Sequence, residues 1–310
     1  MSESVKSRVH RAAAGIAVAA AVAVAGAAGA QTQIGFDDHL DFDRPEAWAM
    51  KWFGSVLVMT SLGGTPELAP GGWELGLEGG WVPSLSEEER RVGFIGNKVE
   101  DLNRTSVVGR VRLSAGLPAG FVLTGGWMPP AEVDGVTPHL FALALGRALA
   151  EGRAFRLDLR LTGQTGTIEG DLTCPEAAVA AGDDPVRNPS NCLEPSDDEM
   201  TVTTAGLELT GSWRLAGAPR LRPYASVAGH WFDNEFQVRA RYASVIDRTR
   251  LLSDGTTFAV TAGLDVQAGE RTRLAAELFY SPLDVVRDPD EGSQNDPLFN
   301  ARVLLGYRIR

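Results

Sequence analysis

Lysine occurs only at positions 6, 51 and 98, cysteine only at 174 and 192, and histidine only four times in 310 residues. Forty acidic residues stand against 29 basic ones, a net charge of −11, so the chain lacks the basic excess that a nucleic-acid partner requires. After residue 30 no apolar run is long enough for a transmembrane helix, so any residence in a membrane must be through strands. There is no Gly-x-Ser-x-Gly, no His-Glu-x-x-His and no helix-dependent phosphate loop, which removes the common hydrolase and nucleotide signatures. No cofactor is implied.

The chain opens with Lys6, Arg8 and Arg11, an apolar Ala/Val/Gly run from Ala12 to Ala27, and Ala28-Gly29-Ala30 before Gln31-Thr32-Gln33. This reads as a signal peptide, residues 1–30, cleaved after Ala30, with a retained anchor as the alternative. Residues 1–30 hold Glu3 against three basic residues, so their removal leaves 280 residues at a net charge of −13. No cysteine follows the cleavage site, so a lipidated N-terminus is not expected. In an exported chain Cys174 and Cys192 read as a disulfide closing one Pro/Asn/Asp-rich loop, since no histidine or further cysteine lies near enough for zinc.

What the chain has in abundance is alternation. In residues 153–166 Phe155, Leu157, Leu159 and Leu161 share one face, and Arg156, Asp158, Arg160, Thr162 and Gln164 the other, the period of a two-faced strand. The figure recurs at 72–82, 107–117, 121–128, 139–149, 204–215, 221–232, 257–267, 271–281 and 299–310, which makes ten strands. Their connections alternate between tight turns (Leu117-Pro118-Ala119-Gly120, Ala150-Glu151-Gly152-Arg153, Ala216 to Arg220, Ala268-Gly269-Glu270-Arg271) and long polar loops (83–104, 129–138, 167–200, 233–256, 282–298). Trp73, Phe121, Phe155, Trp213 and Tyr307 fall near the short-turn ends. Trp81, Trp127, Phe141, Trp231, Phe258, Tyr280 and Phe299 fall near the long-loop ends. A soluble sandwich also alternates, but it spreads aromatics through its core and has no systematic short/long order of loops. Two aromatic girdles and asymmetric rims belong to a sheet wrapped by lipid.

In these features residues 72–310 resemble the general class of bacterial outer-membrane β-barrel proteins, by architecture and not by a motif tied to one activity. The resemblance implies an all-β fold: an antiparallel transmembrane barrel of ten strands, or twelve, carrying a short N-terminal helix. It also implies an outer-membrane location, contact with lipid and lipopolysaccharide, handling by the outer-membrane assembly machinery, and a monomer. One departure is the end, Tyr307-Arg308-Ile309-Arg310, where such chains commonly finish on an aromatic residue.

Residues 31–71 are expected as a periplasmic or luminal segment. Asp43-Arg44-Pro45-Glu46 is a helix start and Ala47 to Phe53 continues it, whereas Ser55 to Thr60 is β-prone and is the origin of the twelve-strand alternative. Residues 235–252 alternate in places, which suggests a hairpin protruding beyond the membrane and turning near residues 245–248.

Three groups of residues are candidates for function. The faces opposite the apolar ones carry Glu74, Glu78, Arg110, Arg112, Arg156, Asp158, Arg160, Glu208, Arg222, Asp265, Arg273, Glu277 and Arg302, which would line a lumen. They form either an anion-favouring passage or a ladder of Arg–carboxylate pairs filling a narrow interior that encloses little beyond its own side chains. His230 with Asp233 is a candidate acid/base pair of a barrel-borne hydrolase, against the objection that the two point to opposite faces of a regular strand. Residues 169–200 carry a net charge of −8, and Asp183, Asp184, Asp197, Asp198 and Glu199 are calcium candidates, although the spacing fits no EF-hand. The expected role is structural, surface-binding, or narrow permeation of a small solute, with the hydrolase as the rival.

Overall fold

The computed structural model describes residues 32–243 and 245–309; the signal-peptide reading lies outside them. Ten antiparallel strands close into a barrel: β1 (Trp73–Trp81), β2 (Val107–Gly116), β3 (Phe121–Met128), β4 (Val136–Glu151), β5 (Phe155–Gly170), β6 (Asp198–Trp213), β7 (Leu221–Gln237), β8 (Arg250–Gln267), β9 (Thr272–Ser281) and β10 (Leu298–Arg308). Each strand pairs with its neighbours in sequence, and β10 returns to β1 to complete the ring. Closure removes the sheet edges that lipid could not satisfy. The twelve-strand alternative does not occur: Ser55–Leu57 are helical, and the strand Asp37–His39 lies outside the ring, parallel to Arg250–Leu252 of β8.

The apolar faces point outward. Leu77, Leu161, Val227, Leu278 and Val303 are each about half exposed or more, and among the girdle residues Trp73, Phe155, Trp213 and Tyr307 are exposed at one rim and Trp81, Trp127, Phe141, Trp231, Phe258 and Phe299 at the other. Trp73 and Trp81 are eight residues apart, about 26 Å along the strand at ~3.3 Å per residue and about 20 Å along the barrel axis at a typical tilt. That is close to the apolar band of an outer membrane. A sandwich is excluded by the ring itself, whose interior holds the charge.

The wall is uneven in height. β4 to β8 run for 16 to 18 residues, past the long-loop girdle, whereas β1, β2, β3, β9 and β10 have 8 to 11. Alternation read from sequence stops short of these extensions because beyond the girdle the outward face is wet: Thr165, Thr203 and Asp233 occupy it. The protruding hairpin is present, but Tyr242 pairs with Val245, so its turn falls earlier than residues 245–248. Cys174 and Cys192 form a disulfide and pack on Val238 and Ala240, tying residues 171–197 to this extension.

Inside the ring lies α1 (Pro45–Leu57), with Pro45 in its first turn and every residue but Phe53 buried. A helix apolar almost all round needs a core on every side, and the wall supplies one. Trp48, Trp52 and Val56 pack with Phe279, Leu283 and Leu298, and Met50 and Leu57 with Met128, Leu140 and Met200. Gly54 allows the closest approach, since a Cβ there would come within 2.8 Å of the Phe232 ring. The interior therefore encloses much more than its own side chains. Residues 32–43 stand at the long-loop rim rather than at the short-turn mouth, α1 descends from that rim, and residues 58–66 continue without helix or strand, bending at Leu62–Gly64, to the short-turn rim, where the chain enters β1.

Candidate functional site

A chain threaded through a barrel has no strand partner, yet its buried carbonyls need donors. Here the wall arginines supply them in order. Arg302 donates to the carbonyls of Ser55 (3.0 Å), Val56 (3.2 Å) and Val58 (2.5 Å), and Arg110 to that of Leu57. Arg160 donates to Met59 (2.8 Å), Arg112 to Thr60 (2.8 Å), Arg273 to Leu62 (3.1 Å) and Arg156 to Thr65 (3.2 Å). The guanidinium fork has donors left over, and carboxylates take them: Glu208 faces Arg160 at 3.0 Å, Glu78 faces Arg112 at 2.5 Å, Glu74 faces Arg273 at 2.9 Å and Asp158 faces Arg156 at 2.9 Å. Glu277 accepts from the hydroxyls of Thr60 and Tyr224, and Asp265 lies 3.5 Å from Arg273. Gly126 belongs to the same design, because a Cβ there would reach within 2.7 Å of the Met59 sulfur.

All thirteen polar-face residues thus line the interior, with Arg222 at its short-turn end, where it pairs with Glu67. They do not line an open anion path: six of the arginines hold the backbone of residues 55–65. Sequence could not reveal that partner, because a backbone carbonyl leaves no side-chain signature.

At the short-turn rim Glu67 faces Arg156 at 3.1 Å and Arg214 at 3.2 Å, besides Arg222. Partial burial acts to raise its pKa, but the Arg222 hydrogen bond and the three positive charges outweigh it and hold the carboxyl at about 2. A carboxyl whose folded pKa lies below its ordinary 4.5 contributes stability that is complete above pH 4.5 and is lost as pH falls towards 2. Wild type is accordingly expected to lose unfolding midpoint over that acid window, and Glu67→Gln to show a flatter profile there. Equal slopes in denaturant titrations at stepped pH would remove Glu67 from the account.

At the opposite mouth Lys51 donates to the carbonyls of Phe42 and Asp284, both at 2.9 Å, and burial pulls its pKa down to about 8 against the charges of Asp284 and Asp43. Glu100, paired with Lys98 at 2.7 Å, is pushed up to about 6 by burial.

Between α1 and the wall are two apolar cavities. One of about 400 Å³ lies against Phe53, Val56, Leu57, Val108, Met128 and Ile168. The other, of about 380 Å³, opens at the long-loop mouth beneath Phe36, Met50, Phe236, Val238 and Leu251. Phe53, Leu102, Leu172 and Met200 line both. Each has the size and lining of a small-ligand site.

The remaining candidates do not assemble. His230 is buried on the lumen face beside Phe232, level with the long-loop girdle residue Trp231, and its Nε2 has no hydrogen-bond partner, whereas Asp233 is exposed on the opposite face. Alternation within β7 separates them. Among the described residues no three His, Cys, Asp or Glu side chains converge on a metal position. Asp198 is buried and accepts from the backbone of Thr173 and Arg239, and Asp184 accepts from the backbone of Val186 and Arg187.

A closed ring of ten antiparallel strands, apolar outside and charged within, decides the class. The architecture is that of the bacterial outer-membrane β-barrel proteins. No family model matches this barrel, and no curated protein does. Solved structures resemble it distantly. An outer membrane channel from Pseudomonas putida F1 is 10% identical over 82% of this chain and 100% of its own, with a TM-score of 0.38. The translocator domain of the autotransporter NalP from Neisseria meningitidis is 11% identical over 77% and 87%, also at 0.38. The outer membrane protease OmpT from Escherichia coli is 11% identical over 79% and 99%, at 0.33. Likeness at this distance says nothing about the role of this barrel, whose class rests on its own strand pairing.

Proposed function

We propose that this barrel binds and admits a small apolar molecule from the cell exterior, in an outer membrane to which residues 1–30 direct it, and that it does not conduct ions along its axis. One observation carries the reading: two adjoining apolar cavities occupy the long-loop half of a lumen whose other half is closed by the arginine-held segment. An apolar solute gains by leaving water for such a lining, at ~25 cal/mol per Å² buried, whereas a hydrated ion meets only occupied guanidiniums and carboxylates. Lipopolysaccharide is the expected surroundings of the exposed rim, and the barrel works as a monomer.

The test is photolabelling of the full mature chain in phosphatidylcholine vesicles with an apolar aryl diazirine. Label is expected on inward residues such as Val56, Leu57 and Ile168, suppressed by excess toluene, and lost in Met200→Trp, where the indole fills the space shared by the two cavities. Label confined to the outward leucines, indifferent to toluene, would defeat the proposal.

A further inference from the structure

The wall has a gap. Strand β3 ends at Met128, which pairs with Leu140, and Pro129-Pro130 follow; lacking N–H groups, they cannot extend the ladder. Both neighbours continue past it. β2 runs from Val111, the partner of Trp127, back to Val107, and β4 runs from Leu140 back to Val136. Their far edges are held, Val107 by Trp81 of β1 and Val136 by Gly170 of β5. Their facing edges have no strand between them, only residues 129–135, which touch β4 through the Val133–Val136 bridge. The gap lies between Trp81 and Trp127, at the level of the long-loop girdle.

The cavity of about 400 Å³ runs into this gap. Its lining includes Leu77, Val107 and Val111 from the lipid-facing surface together with Phe53, Met128 and Met200 from the lumen. An intact wall would separate the two sets.

We infer that the gap is a lateral port: the apolar molecule enters at the long-loop mouth, passes Phe53 into the inner cavity and leaves between β2 and β4 into the outer leaflet. The inference rests on the ligand reading above and adds the direction of exit. The downward route would take an apolar solute through buried Arg112, Arg160 and Arg273, whereas the sideways route exchanges one apolar surrounding for another. That exchange is close to neutral in free energy, so binding does not prevent release.

Gly109 sits on the lipid side of the gap, and a Cβ there meets only the Glu78 carbonyl, at 3.8 Å. Gly109→Trp would cover the opening, as would Val133→Trp from the loop side should the first variant fail to insert. Uptake of N-phenyl-1-naphthylamine by intact Gram-negative cells, with aryl-diazirine labelling of each purified full-length protein, separates the two ideas. The expected result is faster uptake with wild type than with empty vector, uptake at the vector level with either tryptophan variant, and in all three toluene-sensitive labelling of Met50, Phe236 and Leu251, which line the mouth cavity that neither substitution enters. Retained labelling with uptake equal to wild type in the variants, or no wild-type uptake above vector, would overturn the port and leave the ligand site. Absence of cavity labelling in wild type would remove the ligand reading, and the port with it.

Discussion

Deletion of residues 32–66 is expected to convert a silent barrel into one that opens discrete conductance steps in planar bilayers. The reason is the volume this segment occupies. An α-helix with its side chains is about 10–12 Å across, so a wall shaped to hold α1 would retain an aqueous bore of that order once the helix is gone. Residues 58–66, which close the other half, would leave with it. The exposed wall would carry seven arginines against six carboxylates at the thirteen polar-face positions, a near balance that predicts only weak preference for anions. The deleted protein must first be shown to be a folded barrel, by the heat-dependent shift in its electrophoretic mobility. If it is folded and as silent as the full chain, the arginines have closed over the space and the segment is not what blocks the axis.

The largest loss of stability from a single substitution is expected at Arg302. Its guanidinium donates to three carbonyls of the α1 terminus and to Asn300, and lies 4.4 Å over the Phe279 ring. Arg302→Met keeps much of the volume and removes every donor. It strands buried carbonyls at about 1–3 kcal/mol each where water cannot replace the bond, and takes a cation from the neighbourhood of buried Glu277. Breaking buried charge networks of this kind costs about 3–5 kcal/mol. Urea unfolding in lipid vesicles should therefore show a lower midpoint at unchanged slope. Arg302→Lys should recover only part of the loss, because one ammonium cannot reach three carbonyls in the way a planar fork does. A midpoint within about 1 kcal/mol of wild type for Arg302→Met would mean that packing of Trp48, Trp52 and Val56, and not the arginine ladder, holds the plug.

How much of this was legible in the chain varies with the range of the interaction. The ten strands could be read within a few residues because the pattern that defines a strand, a side chain on each face in turn, is local to it. The girdles could be read for the same reason: Trp73 and Trp81 mark both ends of one segment. The disulfide was legible because only two cysteines exist. The start of α1 was visible in Asp43-Arg44-Pro45-Glu46, but its continuation through Ser55–Leu57 was not, since those β-prone residues are held helical by the wall around them and by Arg302 on their carbonyls. That His230 and Asp233 lie on opposite faces was legible in the alternation of the strand, whereas the burial of His230 was not.

By itself the amino-acid sequence determined the closed all-β wall, its outward apolar band, its inward charge and its unequal rims, because a period of two and the placing of turns are properties of neighbouring residues. Only the tertiary structure decided that the arginines grip a threaded backbone, that α1 fills the long-loop half from its own rim, and that the wall parts above β3. Each of those depends on partners far apart in the chain, Arg302 with Ser55 or Val107 with the end of β3, and on backbone carbonyls and strand lengths that carry no residue-type signal.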